Sequence, residues 1–353
     1  MGGTDPFART ECLMVGDQGP LSLSCILWPN DRNLSNESFR YEVSLEAMDV
    51  RQLSALLAVS DHGTFSAAAD ATHTVQSNIS AHIARIEKEL GVTLVDRGAS
   101  RLTPEGEAVA RRARRVISEM DAIGADVAAL HDEVIGEVRL GVIGTAARWL
   151  LPPALAVMQE RYPRTDIRIS EGTTSVLEPQ LAAGGIDMAV VLLPTRAPDV
   201  ATTPLFEEDM LLVIASGHPL AGEELIDMTA LADIPLLLPP VGTASRSEID
   251  AAAQTVGVSV TAKAEVDGVR LTASLTFDGH GPAILPATAL PAYLKEQWSS
   301  VPVKGLARRV VGLAQQRRAY LTPPAGALRK VLIEVVDAGS ERHPGLHRLE
   351  RTS

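Results

Sequence analysis

Apolar positions change texture three times along the 353 residues. From Val50 they fall at Val50, Leu53, Leu56 and Leu57, the i, i+3, i+6, i+7 spacing of one helix face, and Gly63 stops the run. Ala-rich Ser66–Ala71 predicts a short second helix, followed by a turn around Thr72–Val75. A third helix is expected from Gln76 to Leu90, with Ile79, Ile83, Ile86 and Leu90 as its buried stripe and Gly91 as the residue that ends it. Three short helices with a tight turn between the second and third describe a helix-turn-helix. Leu94–Thr103 reads as a two-stranded wing with Gly98 at its tip.

Pro104 then suits the start of a helix, where its missing N–H costs nothing. Within that helix Val109, Ala113, Val116, Met120, Ile123, Val127, Leu130 and Val134 are spaced alternately by four and three residues, a heptad seam of nearly four repeats. The same stripe would suit a helix lying on its own domain. Its narrowness and its charged flanks favour pairing with a second copy, a dimer held by Val109, Ala113, Val116, Met120, Ile123, Val127 and Leu130.

Beyond Gly136 the texture alternates between strands and helices. Strands are expected at Glu137–Ile143, Asp166–Glu171, Asp187–Leu192, Met210–Ala215, Pro235–Leu238 and Val260–Val266. Helices are expected at Ala146–Tyr162, Val176–Ala183, Ser247–Val256, Val269–Thr276 and Thr288–Trp298. Such alternation predicts an α/β unit built on parallel sheets and long enough for two lobes. The expected organisation is a disordered extension over 1–47, a winged helix-turn-helix over 48–106 and a linker and dimerisation helix over 107–135. An α/β unit follows over 136–341; the family resemblance set out below implies that it is an effector domain with lobe 1 at about 136–206 and 305–341 and lobe 2 at about 207–304. A polar tail, 342–353, ends the chain.

Charge sharpens this division. Net charge is −4 over residues 1–47, +1 over 48–115 and −9 over the remainder, so a near-neutral head is attached to an acidic body. That asymmetry suits a nucleic-acid-binding head on a sensor that avoids nucleic acid. The only cysteines, Cys12 and Cys25, precede every patterned segment, which removes a thiol switch or a zinc site from the folded body. No apolar run is long enough to span a bilayer and no signal peptide is read, so a cytoplasmic protein with no membrane partner is expected.

The sequence holds no phosphate loop, no dinucleotide fingerprint and no nucleophile elbow. The i, i+4 pair His343 and His347 spans Pro344-Gly345 in the polar tail, a poor metal site. The expectation is no catalytic residue, no metal and no cofactor.

Residues 48–106 resemble the DNA-binding domain of LysR-type regulators. The matching stretches are MDVRQLSALLAVSDHGTFSAAAD, VQSNISAHIARIEKELGVTLVDR and RLTPEGEA, and the fainter IDMAVV, GHPL and GPAILP resemble the family's effector domain. The resemblance covers about 48–340. It implies a winged helix-turn-helix that binds double-stranded operator DNA, self-association to a dimer or tetramer, and transcription regulated by a small-molecule effector bound between two periplasmic-binding-protein-like lobes.

By that resemblance Gln76, Ser77, Asn78 and Ser80 open a recognition helix whose short polar side chains reach base edges. His82 and Arg85 reach phosphate, and Arg97 and Arg101 flank the wing. Val75 departs from the usual Ser or Thr cap of this helix, leaving Thr74 as an alternative cap. In the sensor half, hydroxyls cluster at three strand-to-helix turns: Thr145; Thr173, Thr174 and Ser175; and Thr243, with Ser245 and Arg246 just beyond. Ligands of open α/β sheets sit beyond the carboxyl ends of strands, so these residues are candidates for binding a small organic anion, with Arg246 facing its carboxylate. A transporter's solute-binding protein or an α/β metabolic enzyme would share the C-terminal alternation but has no use for the patterned head.

Overall fold

The computed structural model describes residues 7–15, 22–29, 39–44, 48–130, 133–290, 297–317, 321–340 and 343–349. The chain divides into two units, residues 1–120 and 121–353. The first begins with β1 (Phe7–Val15), β2 (Ser22–Pro29) and β3 (Phe39–Ser44), an antiparallel sheet in that order with Cys12 opposite Cys25. This corrects the expected disordered extension. Phe39, Tyr41 and Val43 alternate with Arg40, Glu42 and Ser44, the two-residue period of a strand, in a segment short enough to be masked by the Gly, Pro and Asn around it.

The head proper comprises α1 (Val50–His62), α2 (Phe65–Ala71), α3 (Gln76–Leu90), the wing strands β4 (Val95–Asp96) and β5 (Arg101–Leu102), and α4 (Pro104–Ala129). Asp49 and Gln52 form a capping box on α1: the Asp49 carboxylate accepts from Gln52 N–H at 2.9 Å, and Gln52 Oε1 accepts from Asp49 N–H at 3.1 Å. The Gln52 N–H holds the Asp49 carboxyl below its usual range. Gly63 and Gly91 close α1 and α3 at φ of 76° and 67°, where a Cβ would be strained. Ile79, Ile83 and Ile86 pack with Leu53, Leu56, Val59, Leu94 and Val95 in one core.

Helix α4 is seated on that core. Thr103 Oγ1 donates to Thr93 C=O at 2.7 Å and accepts from Gly106 N–H at 3.0 Å, capping the first turn. A Cβ at Gly106 would overlap the Leu94 carbonyl, so this close approach requires glycine. Ala110 and Ala113 are buried in the head's core, and Arg114 pairs with Asp61 of α1. The helix ends at Ala129, short of the expected Val134.

In the second unit, lobe 1 starts with β6 (Gly136–Val142), α5 (Gly144–Arg161), β7 (Thr165–Glu171), α6 (Thr174–Ala183), β8 (Met188–Leu193) and β9 (Val200–Glu208). The chain crosses into lobe 2 through β10 (Met210–Ala215), β11 (Ile226–Asp227), β12 (Leu236–Leu238), α7 (Ala244–Thr255), β13 (Ala262–Glu265), α8 (Val269–Phe277), β14 (Ala283–Pro286) and β15 (Trp298–Lys304). It returns to lobe 1 as β16 (Arg309–Gln316), α9 (Pro323–Gly339) and β17 (Leu346–Arg348).

The sheet orders are β17-β9-β16-β8-β6-β7 and β11-β15-β10-β14-β12-β13. Strands β6, β7 and β8 run parallel, but the returning β16 is antiparallel to both β8 and β9. The sheets are therefore mixed where parallel ones were expected, because the second crossing brings the chain back from the opposite direction. The helix expected over Thr288–Trp298 is also corrected. Ala287–Ala289 is a single 3-10 turn and Trp298 opens β15, while 291–296 lie outside the described residues. Within the expected tail, β17 pairs with β9 and Leu346 is buried.

Charge gathers where the two strands cross between lobes. Glu208, fully buried, pairs with Arg309 and accepts from Thr288 Oγ1 at 2.6 Å and Thr288 N–H at 3.2 Å. Next to it, Asp209 binds Arg308 Nε and His347 Nε2, each at 2.8 Å.

Candidate DNA-reading face and effector cleft

The first turn of α3 presents Gln76, Ser77 and Asn78 to solvent; Ser80 and His82 are half-buried and Arg85 is exposed. Val75 makes no side-chain cap. Thr74 does not replace it, because its Oγ1 accepts from Asn78 Nδ2 at 3.0 Å. The helix therefore begins with N–H groups open to solvent or an anion, and Asn78 is held at a fixed angle by its own neighbour. In the wing, Arg101 is exposed and forms no ion pair among the described residues. Arg97 is engaged: it lies 5.7 Å above the Phe65 ring and 3.9 Å from Glu87.

The heptad stripe divides in two. Val109 packs against the head's core and Ala113 is buried in it, so these two serve their own domain instead of the seam. Val116, Met120, Ile123, Val127 and Leu130 remain 45%, 47%, 64%, 56% and 83% exposed, a run of large apolar side chains without cover in the single chain.

In the sensor, β6 and β7 are parallel neighbours, which brings the turn at Gly144 beside the turn at Gly172. Thr145 is buried in the first turn of α5. Thr173 and Ser175 hydroxyls bond each other at 2.9 Å, and Thr174 Oγ1 accepts from Leu192 N–H at 3.1 Å, so these three are largely occupied with structure. Thr243 caps α7, accepting from Arg246 N–H at 3.3 Å and donating to the Pro240 carbonyl at 2.8 Å.

Arg246 departs most from expectation. Its Nε bonds both Asp250 oxygens at 3.0 Å, and its Nη1 reaches Glu265 and the Pro239 carbonyl, both at 3.2 Å. The hydrogen bonds it donates to Asp250, one helical turn away, push its pKa up. A guanidinium so neutralised anchors the lobe, not a ligand. The unforeseen basic group is Arg270 of α8 in lobe 2, whose Nε lies 3.0 Å from Glu171 Oε1 of lobe 1. Glu171, the last residue of β7, stood at a carboxyl strand end where ligand sites are sought; nothing in the local pattern marked Arg270.

Neither histidine of the tail pair approaches the other's role: the His343 ring lies 6.2 Å from that of Trp149, whereas His347 binds Asp209. Among the described residues, no helix is long and apolar enough to cross a membrane.

A winged helix-turn-helix with an open recognition face, followed by a two-lobed α/β unit, defines a DNA-binding regulator with an effector domain. Residues 50–107 match the family described as "Bacterial regulatory helix-turn-helix protein, lysR family", and residues 131–337 match "LysR substrate binding domain". The chain belongs to the LysR family of transcriptional regulators; it binds DNA, answers a small-molecule effector and is not an enzyme.

The chain is 36% identical over 242 residues to a probable hydrogen peroxide-inducible genes activator of Streptomyces viridosporus, covering 68% of this chain and 78% of that one. It is 28% identical over 302 residues to the DNA-binding transcriptional dual regulator OxyR of Escherichia coli K12, covering 84% and 97%. A solved structure of full-length OxyR from Pseudomonas aeruginosa, a variant with aspartate in place of a cysteine, superposes with a TM-score of 0.68 at 24% identity, covering 86% and 99%. This chain has no cysteine anywhere in residues 48–353.

Proposed function

We propose that this regulator binds its operator as a dimer paired along α4 and answers a small organic carboxylate held between the lobes, without a thiol in the sensor. Gln76 and Asn78 read base edges in this reading, while Arg101 contacts the DNA backbone. The relatives named for peroxide induction carry no weight for peroxide here, since the sensor has no sulfhydryl to oxidise. The observation that carries the effector site is Thr145. It is 8% exposed, yet its hydroxyl has no hydrogen-bond partner among the described residues, beside a helix start that no side chain caps. A hydroxyl with no partner in the chain, next to N–H groups that no side chain caps, is suited to a ligand.

The test is a footprint on the DNA flanking the protein's own gene, repeated with hydrogen peroxide, acetate, benzoate and succinate. A protected site whose extent changes with a carboxylate, and stays unchanged with peroxide, is expected. Thr145→Val should remove the carboxylate response and leave DNA affinity intact. A peroxide response that survives replacement of Cys12 and Cys25 by serine would overturn the reading.

A further inference from the structure

Asp209 is the single residue between β9 of lobe 1 and β10 of lobe 2, and each of its polar groups is engaged. Its C=O accepts from Ala287 N–H, just past β14, at 3.0 Å, and its Oδ1 accepts from Arg308 Nε, just before β16, at 2.8 Å. The other two partners come from the end of the chain. Asp209 N–H donates to the Gly345 carbonyl at 2.8 Å, and Oδ2 lies 2.8 Å from His347 Nε2. Gly345 is seated closely: at φ of 79° its Cβ would be strained, and would come within 2.8 Å of Ala287 Cβ and 3.5 Å of Leu211 Cδ1. The C-terminal strand thus meets every stretch of chain that passes the junction, at Asp209, Ala287 and, through the shared carboxylate, Arg308.

The strand itself is fastened to lobe 1. It pairs with β9, Leu346 is buried in the lobe 1 core, and Arg348 Nε lies 3.5 Å from Asp337 of α9. An edge strand serving lobe 1 alone would need only that pairing and the Leu346 side chain. We propose that β17 is a clasp on the hinge: it holds Asp209 by main chain and side chain and so fixes the angle between the lobes. Hinge motion is absorbed by the backbone rotation of a few residues where the chain passes between bodies. Asp209 cannot make that rotation while its N–H and carboxylate are held by a segment anchored in lobe 1. Whatever changes the angle between lobes works against this strand, whichever effector the cleft takes.

The test is the spread of distances between lobes, read by electron–electron double resonance on the full chain carrying Cys12→Ser and Cys25→Ser. Spin labels go on Gln159→Cys of α5 and Gln254→Cys of α7, both exposed, and unlabelled chain is added in excess so that pairs within one copy dominate. His347→Ala leaves Leu346 and the main-chain pairing in place and should widen the distribution about twofold by freeing the hinge. Gly345→Ala, which spoils the seat against Ala287, should widen it as well. His347→Gln returns a nitrogen donor near the lost Nε2 and should restore the parent's width. A width unchanged in either alanine variant overturns the clasp, as does a widening that His347→Gln fails to reverse. Loss of the sensor's thermal transition in His347→Ala overturns it too, because the strand would then be holding lobe 1 together and not the angle.

Discussion

Glu87 Oε1 accepts a hydrogen bond from the backbone N–H of Leu94 at 2.8 Å, tying the recognition helix to the base of the wing. The same oxygen accepts from Val95 N–H at 3.2 Å, and the other oxygen faces Arg97. Glu87→Ala would strand two backbone donors in a largely buried place, so the head should lose about 2–3 kcal/mol. Glu87→Gln keeps an acceptor and should lose about half as much. Urea denaturation of the two variants measures this; equal stability in both and in the parent would mean the wing stands without α3.

Reading of DNA should separate into two signatures. Gln76→Ala and Asn78→Ala are expected to cost about 1–3 kcal/mol on the operator and little on scrambled duplex. Arg101→Ala should weaken both duplexes alike and reduce the salt slope by about one. Arg97→Ala should also destabilise the head, because its guanidinium is stacked on Phe65. Specificity lost with Arg101 but retained without Gln76 and Asn78 would move the reading to the wing and the shape of the minor groove.

Charge placed on the α4 stripe should act differently along its length. Met120→Asp and Ile123→Asp are exposed in the single chain, so they should fold normally and sediment as smaller species. Ala113→Asp, buried in the head, should instead unfold that domain. Parent-like sedimentation of the first two would place the dimer contact elsewhere.

The buried Glu208 should be costly to remove. Glu208→Ala leaves Arg309 without its partner where the strands cross between lobes, at a cost of about 3–5 kcal/mol. A thermal melt of the sensor reads it directly, and a shift under about 1 kcal/mol would mean solvent reaches Arg309 once the carboxylate is gone.

Much of the head was legible because its signals are local. The helix period of Ile79, Ile83 and Ile86 and the glycine at 91 fix α3 within its own residues. The sensor was legible only where strand and helix alternate along the chain. Strands β9, β11, β14, β15, β16 and β17 and helix α9 carry no such signal: their pairing is set by contacts between distant segments, which no window of neighbouring residues records. The site divided the same way. Thr145 follows from its place after a strand, whereas the commitment of Arg246 to Asp250 and Glu265, and of Arg270 to Glu171, depends on contacts between distant segments. The heptad of α4 was visible in full, but period alone could not tell that Val109 and Ala113 face inward to their own domain.

That sharing has a geometric consequence. Because Ala110 and Ala113 are sealed into the head and Arg114 is tied to Asp61, α4 cannot roll about its axis without carrying α3 with it. In a dimer paired along Val116–Leu130, the angle and separation of the two recognition helices, and so the spacing of operator half-sites, would be written into the pitch of this one helix. At 3.6 residues per turn, a single residue inserted between Ala113 and Val116 would swing each head by about 100° relative to the seam and put the pair out of phase with the DNA.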